Sequence, residues 1–222
     1  MCGRFVITHA NDALARLFGA QPDNDLPPVP NFNVCPTNSV AAVSADGGAR
    51  RLRTMRWGFI PSWYKTPSDG PLIINARSET VAQKPAFREA VRTRRCLIPA
   101  SGFYEWSEGP EGERLPWFFR RADGAPIAFA GLWQRWERDG EGRDTCAIVS
   151  TAAGPGMAGL HVREPVILEA PDWPLWLGEA GHGAAPLMKA SAPGVLAPPY
   201  RVDPAVNSNR ARGEALIEPL AA

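Results

Sequence analysis

Apolar and polar positions alternate in short runs along most of the chain, and take a helical spacing in only a few places. Arg4-Phe-Val-Ile-Thr-His9 has the apolar centre of a short strand. Leu14, Leu17 and Phe18 fall at i, i+3 and i+4 ahead of Gly19, which predicts a helix with a glycine stop. Residues 22–36 are rich in Pro and Asn and predict an irregular loop. Ser39–Ser44 and Arg51–Trp57 predict two strands joined through Asp46-Gly47-Gly48. Gly58–Tyr64 is an aromatic loop too punctuated for regular structure. The apolar run Leu72–Ile74 stops at Asn75-Ala76-Arg77, and Ser78 is placed to cap a helix with Phe87, Ala90 and Val91 on its inward face.

Further along, Cys96–Pro99 and Gly102–Trp106 predict a strand and its continuation. Pro116–Arg121 and Ile127–Trp136 flank Asp123-Gly124 as a hairpin would, and Cys146–Thr151 adds another strand. Trp173–Leu177 predicts a short helix, residues 178–199 a loop, and Val202–Ile217 the closing segment. No repeat and no long linker divides the chain, so one domain over 1–222 is expected. Many short strands with two or three helices imply an α+β domain dominated by antiparallel sheet.

Composition narrows the class. Hydrophobic residues make up 45% and charged residues 21%, an ordinary globular balance. No apolar run approaches the roughly 20 residues that cross a bilayer, and the N-terminus has no secretory pattern. The four cysteines, Cys2, Cys35, Cys96 and Cys146, form no C-x-x-C pair. That argues against a zinc ribbon or a disulfide scaffold, so a reducing cytoplasm is expected and neither metal nor cofactor is called for. Net charge is only +1, yet residues 50–95 carry eleven Arg or Lys against three Asp or Glu, a local balance of +8. Such a concentration suggests an anionic surface partner, with nucleic acid the plausible class. A solvated helix face is the simpler account for Arg88, Arg92 and Arg95.

Four residues are candidates for chemistry. Trimming of Met1 would leave Cys2 with a free α-amine beside its thiol, a 1,2-aminothiol able to form a thiazolidine with an aldehyde. The amine titrates near pH 8 and the thiol near 8.5, so both have nucleophilic fractions near neutrality. Asn75 ends an apolar run, where an amide can be held at a cleft edge, although such asparagines also serve turns. Glu105 lies among aromatics in Gly-Phe-Tyr-Glu-Trp, where burial would favour its protonated form; an outward strand position fits its spacing equally. His161 follows a glycine-rich turn and is one of three histidines.

Seven ordered segments carry a resemblance: Met1-Cys-Gly-Arg-Phe5, Asn33-Val-Cys-Pro-Thr37, Arg56-Trp-Gly-Phe-Ile-Pro-Ser-Trp63, Ile74-Asn-Ala-Arg-Ser-Glu79, Arg95-Cys-Leu-Ile-Pro99, Gly102-Phe-Tyr-Glu-Trp106 and His161-Val-Arg-Glu-Pro165. Together, from Cys2 to about Ile217, they resemble the SRAP (SOS response-associated peptidase) family, which senses abasic sites in single-stranded DNA and crosslinks to them. The resemblance implies a compact domain around a barrel-like antiparallel core. It implies that Cys2 is the nucleophile, that Asn75 orients groups at the forming ring, that Glu105 moves protons on the amine, and that His161 assists sugar ring opening. It implies phosphate contacts for Arg4, Arg77 and Arg163, and DNA packing for Pro36, Trp63 and Tyr64. Tyr64 beside Lys65 is expected to be exposed, whereas Trp63 also suits a core position. Two positions depart from the family pattern: Val162 stands where an acid is common, and Glu164 brings a negative charge beside Arg163, putting its phosphate contact in doubt.

Single-stranded DNA carrying abasic sites is thus the expected partner of a monomer, in the cytoplasm and on the nucleoid through DNA, without a membrane. Two other classes stay open at this point. Met-Cys-Gly also opens amidotransferase domains, so an N-terminal-nucleophile thiol peptidase or amidohydrolase explains Cys2, though not the arginines. A non-catalytic single-strand binder explains the arginines, though not the aminothiol.

Overall fold

A computed structural model describes residues 2–23 and 25–220, with Asp46 by its backbone alone. Met1, whose removal the sequence reading expects, lies outside the described residues. The strands are β1 (Arg4–Ile7), β2 (Ala20–Pro22), β3 (Asn31–Val34), β4 (Ser39–Asp46), β5 (Ala49–Trp57), β6 (Asn75–Arg77), β7 (Arg95–Ala100), β8 (Gly102–Glu108), β9 (Arg114–Phe119), β10 (Ile127–Arg138), β11 (Glu141–Ala152), β12 (Arg163–Pro165) and β13 (Tyr200–Arg201). Three α-helices, α1 (Asn11–Phe18), α2 (Ala90–Thr93) and α3 (Trp173–Leu177), flank them.

Five strands close on themselves in the order β11-β10-β7-β4-β5, because β5 returns to pair with β11 in parallel at Thr145↔Arg56 and Cys146↔Trp57. The other pairings around this barrel are antiparallel. A second sheet, β13-β9-β8-β1-β3, is antiparallel throughout and packs against it. Phe5 of β1 meets Trp57 of β5 with ring centroids 5.1 Å apart, and Phe103 of β8 meets Phe129 of β10 at 5.8 Å. These aromatics are fully buried and join the two sheets. The class is therefore the α+β, mainly antiparallel, barrel-like fold expected.

Local chemistry explains several elements. The β4–β5 turn pairs Asp46 with Ala49 across Gly47 and Gly48, whose φ values of 60° and 88° suit a tight right-twisted hairpin. α1 stops at Gly19 as predicted, but its buried residues are Leu14, Ala15 and Phe18, and Leu17 is exposed. Residues 22–36 are not wholly irregular, since β3 lies there and takes the open edge of β1. Ser78 does not cap a helix. Its amide instead donates to the Ser150 carbonyl, and regular helix begins only at Ala90, although Phe87 and Ala90 are buried as expected.

The chain departs most from the expected pairings where it crosses between the sheets. β7 and β8 are consecutive, yet β7 belongs to the barrel and β8 to the second sheet. Gly102 opens β8 at that crossing, where a Cβ would sit 2.3 Å from the Phe118 ring. β9 and β10 likewise form no hairpin: β9 pairs with β8, and β10 with β7 and β11. The turn at Asp123-Gly124 carries the chain from one sheet to the other. Turn chemistry announces a reversal without saying which strand will be the partner.

Candidate functional site

The seam between the two sheets gathers the four candidate residues. Cys2 stands just ahead of β1 and is fully buried. Its carbonyl accepts a 2.9 Å hydrogen bond from Asn75 Nδ2, and its thiol lies 3.6 Å from the Arg4 carbonyl. Asn75 reaches this point because β6 runs parallel beside β11, with Asn75 opposite Ile148. The Oδ1 of Asn75 is buried and has no hydrogen-bond partner among the described residues. An orphaned acceptor of this kind costs stability, which is typical of sites kept for a ligand or reacting group.

Glu105 enters from β8. Strand alternation sends Phe103 and Glu105 to the face that packs on the barrel, while Tyr104 turns to the smaller cluster with Phe118 and Val202. Glu105 is only 2% exposed, which resolves its ambiguous spacing in favour of the cleft. Burial raises its carboxyl pKa, and positive charge nearby, His161 included, partly offsets this. Burial also pushes the Cys2 thiol far above its ordinary range, and the charge of Glu105 adds to the effect. His161 precedes β12, with Nδ1 2.9 Å from the Arg163 carbonyl and 3.0 Å from the Arg163 amide nitrogen. Nδ1 is thereby engaged by the backbone of Arg163.

Glu105 and His161 line an open cleft of about 870 Å³, together with Arg4, Pro36, Leu72 and Trp106. The candidate DNA contacts divide. Arg4 donates to Asn33 Oδ1 at 2.8 Å and the Val206 carbonyl at 2.7 Å, and also to Asn209 Oδ1. These acceptors are neutral, so Arg4 is rigid and keeps its charge. Arg77 is exposed and makes no side-chain hydrogen bond or ion pair among the described residues. Trp63 is 54% exposed, whereas Tyr64 is half-buried against Gly70, with its carbonyl accepting from Trp136 Nε1. That reverses the expectation for the pair. Pro36 is half-buried at the cleft wall.

Arg163 is paired bidentately with Glu79, both contacts at 3.0 Å. The suspected intruder, Glu164, points the other way. It is 2% exposed and accepts from the Gly154 and Ser191 amides at 2.7 and 2.6 Å, so its charge is kept from the cleft. The +8 segment also disperses once folded. Arg50 pairs with Glu179, Arg51 with Asp23, and Arg53 lies between Asp23 and Asp144. Arg95 is buried and caps carbonyls of Val91 and Arg92. Linear charge density overstated the basic face, because β5 sets these arginines beside acids from distant segments.

Two further residues support the site in ways that their place in the sequence does not indicate. Asn33 is buried and orients Arg4, and Arg114 lies over the Trp106 ring at 4.7 Å. Neither has a local signature, since each acts through a strand pairing. Among the described residues no group of His, Cys, Asp and Glu is arranged to hold a metal ion, and no helix is long and apolar enough to cross a membrane.

Comparison with known proteins places the chain in a family. The model of the SOS response associated peptidase (SRAP) family matches residues 1–209. The chain belongs to the SRAP family. The SRAP chain is 38% identical to the abasic site processing protein YoaM of Bacillus subtilis over 80% of its length and 79% of that protein's. It is 34% identical to YoqW of the same organism, also an abasic site processing protein, over 98% and 99%. A crystal structure of a protein from Bacteroides thetaiotaomicron superposes with a TM-score of 0.86 at 20% identity, covering 99% of the SRAP chain and 100% of that one, a likeness of fold.

Proposed function

We propose that this protein recognises abasic sites in single-stranded DNA and captures them covalently through Cys2 once Met1 has been removed. The observation that carries the reading is the convergence of four separate segments: Glu105 and His161 line the cleft, and Cys2 lies buried beside Glu105 with its carbonyl held by Asn75. The names of YoaM and YoqW, abasic site processing proteins, agree with it.

The chemistry follows from the neighbours of Cys2. His161 assists opening of the deoxyribose to its aldehyde. The α-amine of Cys2 then adds to the aldehyde carbon, and the carbinolamine loses water to give an imine. Glu105, whose carboxyl pKa burial raises, donates the proton that carries this water away and accepts one from the amine. The thiol of Cys2 adds to the same carbon, the C–S bond forms, and its proton ends on the ring nitrogen. One water leaves overall, and the product is a thiazolidine. The orphaned Asn75 Oδ1 is an acceptor for the amine, while its Nδ2 holds the Cys2 backbone in place. Arg4 and Arg77 retain charge for phosphates, and exposed Trp63 supplies a face on which bases stack regardless of sequence. Pro36 lines the cleft, and Tyr64 stands beside Trp63 with ring centroids 6.3 Å apart. The protein acts as a monomer in the cytoplasm, without a cofactor.

Incubation with an oligonucleotide bearing one abasic site tests this directly. A heat-stable adduct, lost in Cys2→Ala and weakened to an imine or oxygen-ring product in Cys2→Ser, is expected. Peptide or glutamine hydrolysis that needs Cys2, with no DNA adduct, would instead identify a thiol peptidase or amidohydrolase.

A further inference from the structure

The seam holds one ion pair that the proposed chemistry does not use. Glu79 lies four residues after Asn75, and Arg163 lies two residues after His161, so their pair ties one site-bearing segment to the other. Arg163 is also the residue whose backbone brackets His161 Nδ1 on both sides, at 2.9 and 3.0 Å. A guanidinium has five N–H groups. Glu79 takes one on each terminal nitrogen, the Ser150 carbonyl takes another at 2.7 Å, and Ser150 Oγ lies 3.4 Å from Nε. One N–H remains for a phosphate. Ser150 belongs to the stretch of β11 that carries Asn75 and Arg77 in parallel register, at Ile148↔Asn75 and Ser150↔Arg77. The next residue, Glu164, is anchored in the opposite direction by the Gly154 and Ser191 amides. Arg163 and Glu164 therefore hold the strand that follows His161 from its two faces.

We infer that Glu79 is a positioning residue for His161, acting through the bidentate pair with Arg163 that joins the Asn75 segment to the His161 segment. This rests on the capture reaction proposed above and adds to it a residue that touches neither sugar nor thiol. The side chain of Arg163 is 14% exposed and that of Glu79 is 47% exposed, so Glu79 forms the outer half of the strut. Its carboxyl pKa is lowered, chiefly by the hydrogen bonds from Arg163, and it is therefore ionised across the neutral range. Gln at this position keeps one acceptor but cannot receive the fork from both terminal nitrogens.

Three measurements on Glu79→Gln, beside Glu79→Asp and the parent protein, decide the matter. The first is the crosslinking rate against pH on an abasic oligonucleotide. The second is the affinity for an undamaged oligonucleotide of the same length at several salt concentrations. The third is the tautomer of His161 by nitrogen NMR, which stands whether or not crosslinking occurs. Glu79→Gln is expected to slow crosslinking about tenfold and change its pH profile, as a mispositioned catalytic group does. Affinity for undamaged DNA should stay the same, the tautomer balance of His161 should shift, and Glu79→Asp should recover part of the rate. If Glu79→Gln instead leaves the pH profile and the tautomer unchanged, the inference is overturned. In that event a salt slope steeper by about 0.7 would show that Glu79 merely screens Arg163 from a phosphate. Failure of the parent protein to crosslink would refute the proposed function alone, since the His161 spectrum would still decide the role of Glu79.

Discussion

Cys2 and Cys146 occupy sites that differ little in burial and greatly in what surrounds them. Both are fully buried, and burial raises both thiol pKa values. Cys146 sits in the barrel wall opposite Trp133, with Arg56 nearby to favour its thiolate slightly. Cys2 has Glu105 nearby, which disfavours its thiolate further. By acidity, then, Cys2 is no more activated than Cys146. Its distinction under the proposed reading lies elsewhere: an α-amine can attack first, and the thiol follows within the same residue, where proximity replaces acidity. A low thiol pKa is the usual mark of a reactive cysteine, and that criterion would have passed over this one.

The largest effect that could break this comparison is loss of the adduct. Cys2→Ala should abolish the heat-stable product on denaturing gels, whereas Cys146→Ala should leave it intact and cost on the order of 1 kcal/mol in denaturant unfolding. Equal crosslinking by the parent and Cys2→Ala would end the proposal. Next, a residue retained ahead of Cys2 keeps the thiol but removes the free α-amine. Mass spectrometry of such a protein should show no thiazolidine, and an adduct there would return the chemistry to the thiol alone.

Glu105→Gln sharpens the comparison on two readouts. Loss of the proton shuttle should slow capture about a hundredfold. Stability should move the opposite way. Burial raises the Glu105 pKa in the folded state, so its favourable contribution is complete below the ordinary carboxylate range and is lost as pH rises through the folded value. The Gln variant should therefore unfold at higher denaturant than the parent at pH 7, and this advantage should vanish near pH 4. An unchanged midpoint at pH 7 would mean the carboxyl is well solvated. The smallest effect concerns the arginines. Arg77→Ala should lower the salt slope for single-stranded DNA by about 0.7, and Arg50→Ala, already paired with Glu179, should leave it unchanged.

Local patterns were legible where local chemistry decides. The diglycine turn after Asp46, the glycine stop of α1, the short helix Trp173–Leu177 and the unstructured aromatic loop all follow from residue type and spacing. The four candidate residues were legible through their motifs; the structure puts Glu105 and His161 on the cleft wall and Cys2, held by Asn75, buried beside Glu105. Partnerships were not legible. A turn at Asp123-Gly124 suggested that β9 and β10 pair, but each joins a different sheet. Tyr64 was expected to be exposed and Trp63 to suit a core, yet Tyr64 is half-buried against Gly70 and Trp63 stands in solvent.

Sequence by itself determined the class of the fold, the aminothiol that trimming of Met1 would create, and the residue types of the site. These are covalent or local properties, carried by neighbours in the chain. Only the tertiary structure decided which way Glu105 faces, which arginines keep their charge, and that Glu79 rather than Glu164 holds Arg163. Each of those depends on groups brought together by the closure of β5 on β11 and the crossing between β7 and β8. Burial and charge pairing are set by distance in space, and sequence separation carries no measure of it.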